Sequence, residues 1–198
     1  MQAKEDTVKD LPKSPYPHWA SFTLINPLRR RLIDRAKIVR DAGVTLGSKV
    51  LEIGCGPGFF TEYLAKHVGK EGKVYSQDVQ PQMIEKLKRN MARFTISENI
   101  IPMLTDSAKI DLPDNSIDVV FAASVFEEIE KEGLLEKTLD EISRVCKDGG
   151  YLFYIEHILG MGLSHIEDVL KIIESKGFVK ISSSRSRVNV FATFKKIG

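Results

Sequence analysis

The run VLEIGCGPG at residues 50–58 places Gly54, Gly56 and Gly58 at alternate positions behind an apolar segment that carries Glu52. Between a strand and a helix, such glycines allow a sharp turn and let a ligand lie against bare backbone amides at a helix N-terminus. The next apolar run, KVYSQD, ends in Asp78, about the separation at which nucleotide-binding folds place the acid that grips ribose hydroxyls. Together they point to a ligand built on a nucleoside. A plain tight turn, with Asp78 as a solvated carboxylate or as a cap for the helix that Pro81 begins, is the bland alternative. Two further pairs could move protons: Glu127 and Glu128 in FEEIE, and Glu156 and His157 after YLFYI. Acids are favoured in a first helical turn, so a solvated helix start is preferred for FEEIE. For His157, base and bystander both stand.

These residues need a scaffold. From residue 48 the apolar, β-branched runs KVLEI, KVYSQD, NIIPML, DVVFAAS and YLFYI read as buried parallel strands, with helical-period segments between most of them. Ile84, Leu87 and Met91 share one helix face. Leu135, Leu139, Ile142 and Cys146 share another, which makes Cys146 a buried structural thiol. Ser164 and Glu167 form a capping box for a helix packed through Ile166, Val169, Leu170 and Ile173 and ending near Gly177. FVKISSS and RVNVFATF then follow with only a short polar joint, as an antiparallel hairpin does. The expectation is an α/β fold: a Rossmann-like, doubly wound, mostly parallel seven-stranded sheet with an antiparallel C-terminal hairpin and its ligand crevice at the carboxyl ends of the strands.

The chain ahead of the sheet differs in character. Residues 1–20 mix charges with Pro12, Pro15 and Pro17 and read as an N-terminal arm, with residues 21–198 as one domain. Asn26 suits a helix cap and Pro27 the first helical position, Leu28, Leu32, Ala36 and Val39 form a stripe, and Gly43 closes the helix. Residues 1–50 hold ten basic and five acidic side chains against a whole-chain net charge of +2, which allows an anionic partner at that end without demanding one. Two widely separated cysteines suggest neither a disulfide framework nor a metal site. No apolar stretch approaches the length of a membrane span, and no leader pattern opens the chain, so a cytoplasmic protein is expected.

The detail of the loop separates the nucleoside ligands. The dinucleotide fingerprint needs its third glycine where this chain has Phe59. The pattern Glu-x-Gly-x-Gly-x-Gly from Glu52 resembles the first motif of class I S-adenosylmethionine-dependent methyltransferases, and the likeness extends over most of the chain. TDSAKIDLPDNSIDVVFAA is similar to the family's stretch in which an acid near the third strand meets adenine. SVFEEIEKEGLLEKTLDEISRVCKDGGYLFYIEH is similar to the segment that small-molecule members write approximately as LHEVPD, a helix, then LKPGG and a strand. Within the small-molecule members this chain resembles the branch of the quinone-type carbon methyltransferases.

This resemblance implies S-adenosylmethionine as cofactor and a small-molecule methyl acceptor. It makes Glu52, Gly54, Gly56, Gly58, Asp78 and Asp106 cofactor residues, with Ser107 beside Asp106 at the adenine position, Val79 beside the adenine and Ala123 contributing backbone near the sulfonium. Cys55 and Pro57 are lesser candidates, and for Cys55 a small residue tolerated in the loop is preferred to a nucleophile. Where many relatives have histidine in LHEV this chain has Glu127, so no catalytic base carries over. The arm, with Tyr16, His18, Trp19 and Phe22, is either a lid over the sulfonium or packing for the first helix. Arg29, Arg30 and Arg31 hold an acidic acceptor or an anionic lipid, or, as is commoner, form a solvated face. An RNA or protein methyltransferase, a non-catalytic S-adenosylmethionine-binding protein and a dehydrogenase remain as alternatives. DNA is not expected as a partner, because SVFEE stands where amino-methylating DNA enzymes carry an Asn/Asp-Pro-Pro-aromatic motif.

Overall fold

The computed structural model describes residues 33–198. The arm, its aromatic residues, the helix start at Asn26 and Pro27 and the three consecutive arginines lie outside the described residues. Helix α1 (Arg35–Asp41) is capped by the Asp34 carboxylate, which accepts from the Lys37 amide at 2.9 Å, and it ends ahead of Gly43. Then come β1 (Lys49–Ile53), α2 (Thr61–Val68), β2 (Lys73–Asp78), α3 (Pro81–Met91), β3 (Ile100–Leu104), β4 (Ile117–Ala123), α4 (Phe126–Lys131), α5 (Leu135–Val145), β5 (Cys146–His157), α6 (Ile158–Met161), α7 (Leu163–Ser175), β6 (Phe178–Arg185) and β7 (Asn189–Lys196).

The strands form one seven-stranded sheet in the order β3-β2-β1-β4-β5-β7-β6. Only β7 runs against the rest, paired antiparallel to β5 on one side and β6 on the other. The hairpin therefore does not extend the sheet in chain order; its second strand inserts between β5 and the first. Successive side chains of the central strands point to opposite faces, as strand geometry requires. Leu51, Val120, Ala122, Leu152 and Tyr154 pack one layer with Leu139, Ile142 and Val145 of α5 and Ile166, Val169 and Ile173 of α7. Val50, Val119, Phe121 and Phe153 pack the other with Leu64, Ala65 and Val68 of α2 and Val39 of α1. Phe121 sits between Phe60 and Phe153, with ring centroids 5.0 and 5.1 Å away. Pro102 is accommodated because β3 is an edge strand, where a missing amide donor breaks no ladder.

Two local expectations are corrected. Cys146 is not on the helix face with Ile142: α5 ends at Val145, and Cys146 adopts extended backbone as the first residue of β5, although its thiol is fully buried. Ser164 does not cap α7. Gly162 holds the cap position and no side chain bonds there, so the capping box with Glu167 does not form. The preceding turn, α6, places the start of α7 two residues earlier than the Ser164 pattern implies, while the apolar face of Ile166, Val169, Leu170 and Ile173 is buried as read.

Candidate active site

Strand order reverses between β1 and β4, whose following loops leave the sheet at Gly54 and Ser124 and open a crevice at the carboxyl ends of the strands. A cleft of about 310 Å³ occupies it, running from Asp78, Val79 and Asp106 past Gly54 and Gly56 to Val125, Glu127, Glu156 and His157. Six of the residues singled out for a cofactor line it: Gly54, Gly56, Asp78, Val79, Asp106 and Ser107.

Asp78 organises one end. Its Oδ2 accepts from the Gly56 amide and its Oδ1 from the Gln80 amide, each at 2.9 Å, so it ties the glycine loop to the start of α3. The Val79 amide also favours its charged form, and a carboxylate, with about four acceptor positions, keeps capacity for a ligand's hydroxyl. The carboxyl is only 7% exposed, and burial pushes its pKa up to about 6 despite those amides. Asp106 Oδ1 accepts from the Ala108 amide at 2.8 Å. Ser107 turns its hydroxyl to Thr138 Oγ1 at 3.1 Å, away from free hydrogen bonding in the cleft. The loop carrying both is pinned from behind. Arg144 on α5 donates to the carbonyls of Ile110 and Leu112 at 2.8 and 2.9 Å while pairing with Glu141, which accepts the Ile110 amide at 2.8 Å.

Four of the expected residues do not line the cleft. Glu52 lies beneath its floor, 3% exposed, where Oε2 accepts from Thr61 Oγ1 at 2.6 Å and Ser76 Oγ at 2.9 Å. It links β1, α2 and β2. Cys55 is buried against Ile84 and Leu87, and its thiol pKa is raised by desolvation first and by Asp78 and Glu52 next. Gly58 is a packing position, where an added Cβ would stand 2.8 Å from Leu87 Cδ1 and 3.1 Å from Phe94 Cζ. Ala123 ends β4 just short of the cleft wall, which its successors Ser124 and Val125 supply.

Sequence reasoning passed over Gln77, Gln80, Met83, Ser124, Val125, Ile129, Glu132 and Leu134, which also line the cleft. For Ser124 a signal existed, since the residue after a central strand faces the crevice. Its backbone takes the left-handed region, φ 53°, uncommon for serine. Two residues of the cleft lining each carry a buried oxygen with no hydrogen-bond partner among the described residues: Gln77 Oε1 at the β2 end and Glu156 Oε2 at the β5 end. Glu156 is 1% exposed, and burial pushes its pKa up to about 7.

The cleft's charged side chains are all acidic. Asp78, Asp106, Glu127, Glu128, Glu132 and Glu156 line it, with no lysine or arginine among the described lining residues. Glu127 and Glu128 are balanced by Lys131, at 2.8 and 3.1 Å. Such a wall favours a cation and opposes a pyrophosphate.

Burial also raises Glu52, to about 7. The sites of Glu52, Asp78 and Glu156 therefore hold protons that an unfolded chain has released above its ordinary carboxyl pKa of about 4. Their contribution to stability is full below that value and is lost as pH rises through about 6 and 7. Glu141, held low by Arg144, acts in the opposite sense but at lower pH. The melting temperature is expected to fall between about pH 5 and pH 8, less steeply in Glu52→Gln, which keeps an acceptor for Thr61 and Ser76. Scanning calorimetry across that range checks it, and a melting temperature that climbs would contradict it.

Comparison with known proteins agrees with this architecture. Residues 50–150 match the methyltransferase domain family. The chain is 30% identical over 115 residues to the ubiquinone/menaquinone biosynthesis C-methyltransferase UbiE of Hydrogenovibrio crunogenus, covering 58% of this chain and 44% of that protein. It is 28% identical over 155 residues to the demethylmenaquinone methyltransferase of Geobacillus stearothermophilus, covering 78% and 64%. The match thus spans less than two thirds of either relative. A crystal structure of an S-adenosylmethionine-dependent methyltransferase from Aquifex aeolicus superposes with a TM-score of 0.83 at 27% identity, over 92% of this chain and 100% of that one. The family match covers the glycine loop, Asp78, the Asp106 loop and the segment from Ser124 to Leu134, all of which frame the cleft, and more than half of the chain, so the chain belongs to the methyltransferase domain family.

Proposed function

We propose that this chain transfers a methyl group from S-adenosylmethionine to a small, hydroxyl-bearing aromatic acceptor of the quinol type. The observation that carries the reading is the cleft itself: floored by Gly54 and Gly56, organised by Asp78, and walled by carboxylates. The residues fit the cofactor. Asp78 keeps acceptor capacity for a ribose hydroxyl, Gln77 Oε1 is a buried acceptor with no donor among the described residues, and an acidic wall suits a sulfonium. When bound, the sulfonium supplies an electrophilic methyl group whose bond to sulfur breaks as the acceptor attacks in line.

The chain's own contribution is alignment and exclusion of water. Gly54, Gly56, Asp78, Val79 and Asp106 would hold the cofactor, with Ser107 contributing through its backbone. Glu52 acts from below, by fixing the strand that carries the loop to α2 and β2. At the other end, Val125, Ile129 and Leu134 offer apolar surface to an aromatic ring beside Glu127, Glu156 and His157. The names of the relatives from Hydrogenovibrio and Geobacillus support a quinol-type acceptor.

Calorimetric titration with S-adenosylmethionine, S-adenosylhomocysteine and NADH in parallel tests the reading. The first two are expected to bind and NADH is not, because its pyrophosphate would meet Asp78, Asp106 and Glu156. NADH binding in preference to both would overturn the assignment in favour of a dehydrogenase.

A further inference from the structure

Glu156 stands apart from the other carboxyl groups of the cleft. It lies at the end of β5, where its register partner on β7 is the apolar Val190, and it is almost wholly removed from water. Its Oε1 accepts from the His157 amide at 3.1 Å, and the amides of Glu127 and Phe126 at the start of α4 also favour its charged form. Its Oε2 has no partner among the described residues, yet the side chain lines the cleft. A buried acceptor left unmatched is unfavourable, so a ligand that supplies a donor here recovers that loss. The adjoining wall, Val125, Ile129 and Leu134, is apolar.

We propose that Glu156 faces the methyl acceptor and that its Oε2 receives the proton the acceptor loses on methylation. The inference rests on the reading of the cleft as a methyltransferase site and assigns the group which that reading leaves open. In the step, the acceptor's oxygen or activated ring carbon forms a bond to the methyl carbon, and the carbon–sulfur bond breaks with its electron pair retained by sulfur. The proton of the acceptor's hydroxyl passes to the Glu156 carboxylate, which returns it to solvent after product leaves; where the ring carbon is the nucleophile, that carbon then gives up its own hydrogen as a proton while the oxygen regains one, which restores the aromatic ring and leaves one proton lost overall. Charge balances, because the positive charge lost at sulfur equals the proton transferred.

The surroundings suit the task. Burial is the largest influence on Glu156 and Glu127 adds repulsion, whereas the three amides oppose them, so the group titrates at about 7, where a general base is most effective. Among the described residues, the titratable groups that act on Glu156 are Glu127 on α4 and Tyr154 on β5, with His157 next to it in the strand; Glu130, which faces Tyr154, is itself paired with His165 of α7. The Tyr154 phenol is unsuited to the role, since burial first and the neighbouring carboxylates next push its pKa well up.

Glu156→Gln keeps the shape and removes the proton acceptor. The 198-residue chain and this variant are titrated calorimetrically with S-adenosylmethionine and S-adenosylhomocysteine near pH 7, in two buffers of different ionisation enthalpy, and assayed for methylation of a naphthohydroquinone. In the wild type, the sulfonium is expected to expel more protons than its neutral counterpart, because a cation in the cleft favours ionised Glu156. In the variant that excess disappears, affinity for S-adenosylhomocysteine stays within about threefold, and turnover falls by about 100-fold or more, the usual scale of general base catalysis. The wild-type rate rises with pH through about 7 and that of the variant does not. An undiminished proton excess, turnover within about threefold of wild type, or a parallel loss of S-adenosylhomocysteine affinity would each overturn the assignment. Failure of both ligands to bind the wild type would instead overturn the methyltransferase reading beneath it.

Discussion

Asp78→Ala is expected to weaken S-adenosylmethionine binding by about 100-fold or more while leaving the sheet folded. The carboxylate has a double task. It accepts the Gly56 and Gln80 amides at 2.9 Å each, which sets the spacing between the glycine loop and α3, and it retains lone pairs that face the cleft. Hydrogen bonds to a charged group contribute about 1.5–3 kcal/mol apiece, so losing one from a ribose corresponds to about 10–150-fold in affinity, and the lost spacing of the loop adds to it. The fold tolerates the change because Asp78 is itself a buried acid with a raised pKa, whose removal also relieves desolvation. Calorimetric titration measures the affinity, and circular dichroism checks the fold. The same carboxylate predicts a pH dependence in the wild type: binding weakens as pH falls through about 6, where the acceptor oxygens become protonated. Affinity unchanged in the alanine variant would remove Asp78 from the site.

Gly54→Ala is expected to destabilise the protein by about 2–6 kcal/mol and to crowd the cleft where Gly54 meets Val125. Gly54 has φ 67°, and a Cβ there would stand 2.5 Å from Val125 Cγ2 and 3.0 Å from Val125 Cβ, so the two loops at the switch point could not both keep their positions. The strained backbone costs about 1–3 kcal/mol, and overpacking against Val125 adds about 1–3 kcal/mol. Gly47 separates the two effects. Its φ is 79° but an added Cβ meets nothing within 4 Å, so Gly47→Ala carries only the backbone cost and leaves ligand binding intact. Urea unfolding of the two variants, with titration of S-adenosylhomocysteine, distinguishes them. Equal destabilisation would show that the approach of Val125 imposes nothing on the loop.

The two residues illustrate how far a sequence reaches. Asp78 and the glycine loop were legible because both are set by local signals: apolar runs of strand length, and residues placed directly after them. The apolar face of α7 was legible for the same reason, since a period of three to four residues is written in the chain. The cap of α7 was not, because the additional turn α6 shifted the helix start from Ser164 to Gly162. Cys146 was misplaced because a buried position satisfies the period of a helix and the first position of a strand equally well.

By itself the sequence determined the alternation of strand and helix, the terminal hairpin, and which loops emerge at the carboxyl ends of the strands, since hydrogen-bonding pattern and hydrophobic period act between near neighbours. Tertiary structure alone decided the insertion of β7 between β5 and β6, and with it the fate of the acids. Glu52 and Glu156 read in the chain as carboxylates like Glu127 and Glu128, yet the first two are buried with pKa values raised to about 7 while the others reach Lys131 at the surface of α4. Desolvation is the sum of what every surrounding element takes away from water. For Glu156 those elements are β7 and the start of α4, one remote in the chain and the other on the far side of α5, so its chemistry exists only once the sheet has closed around it.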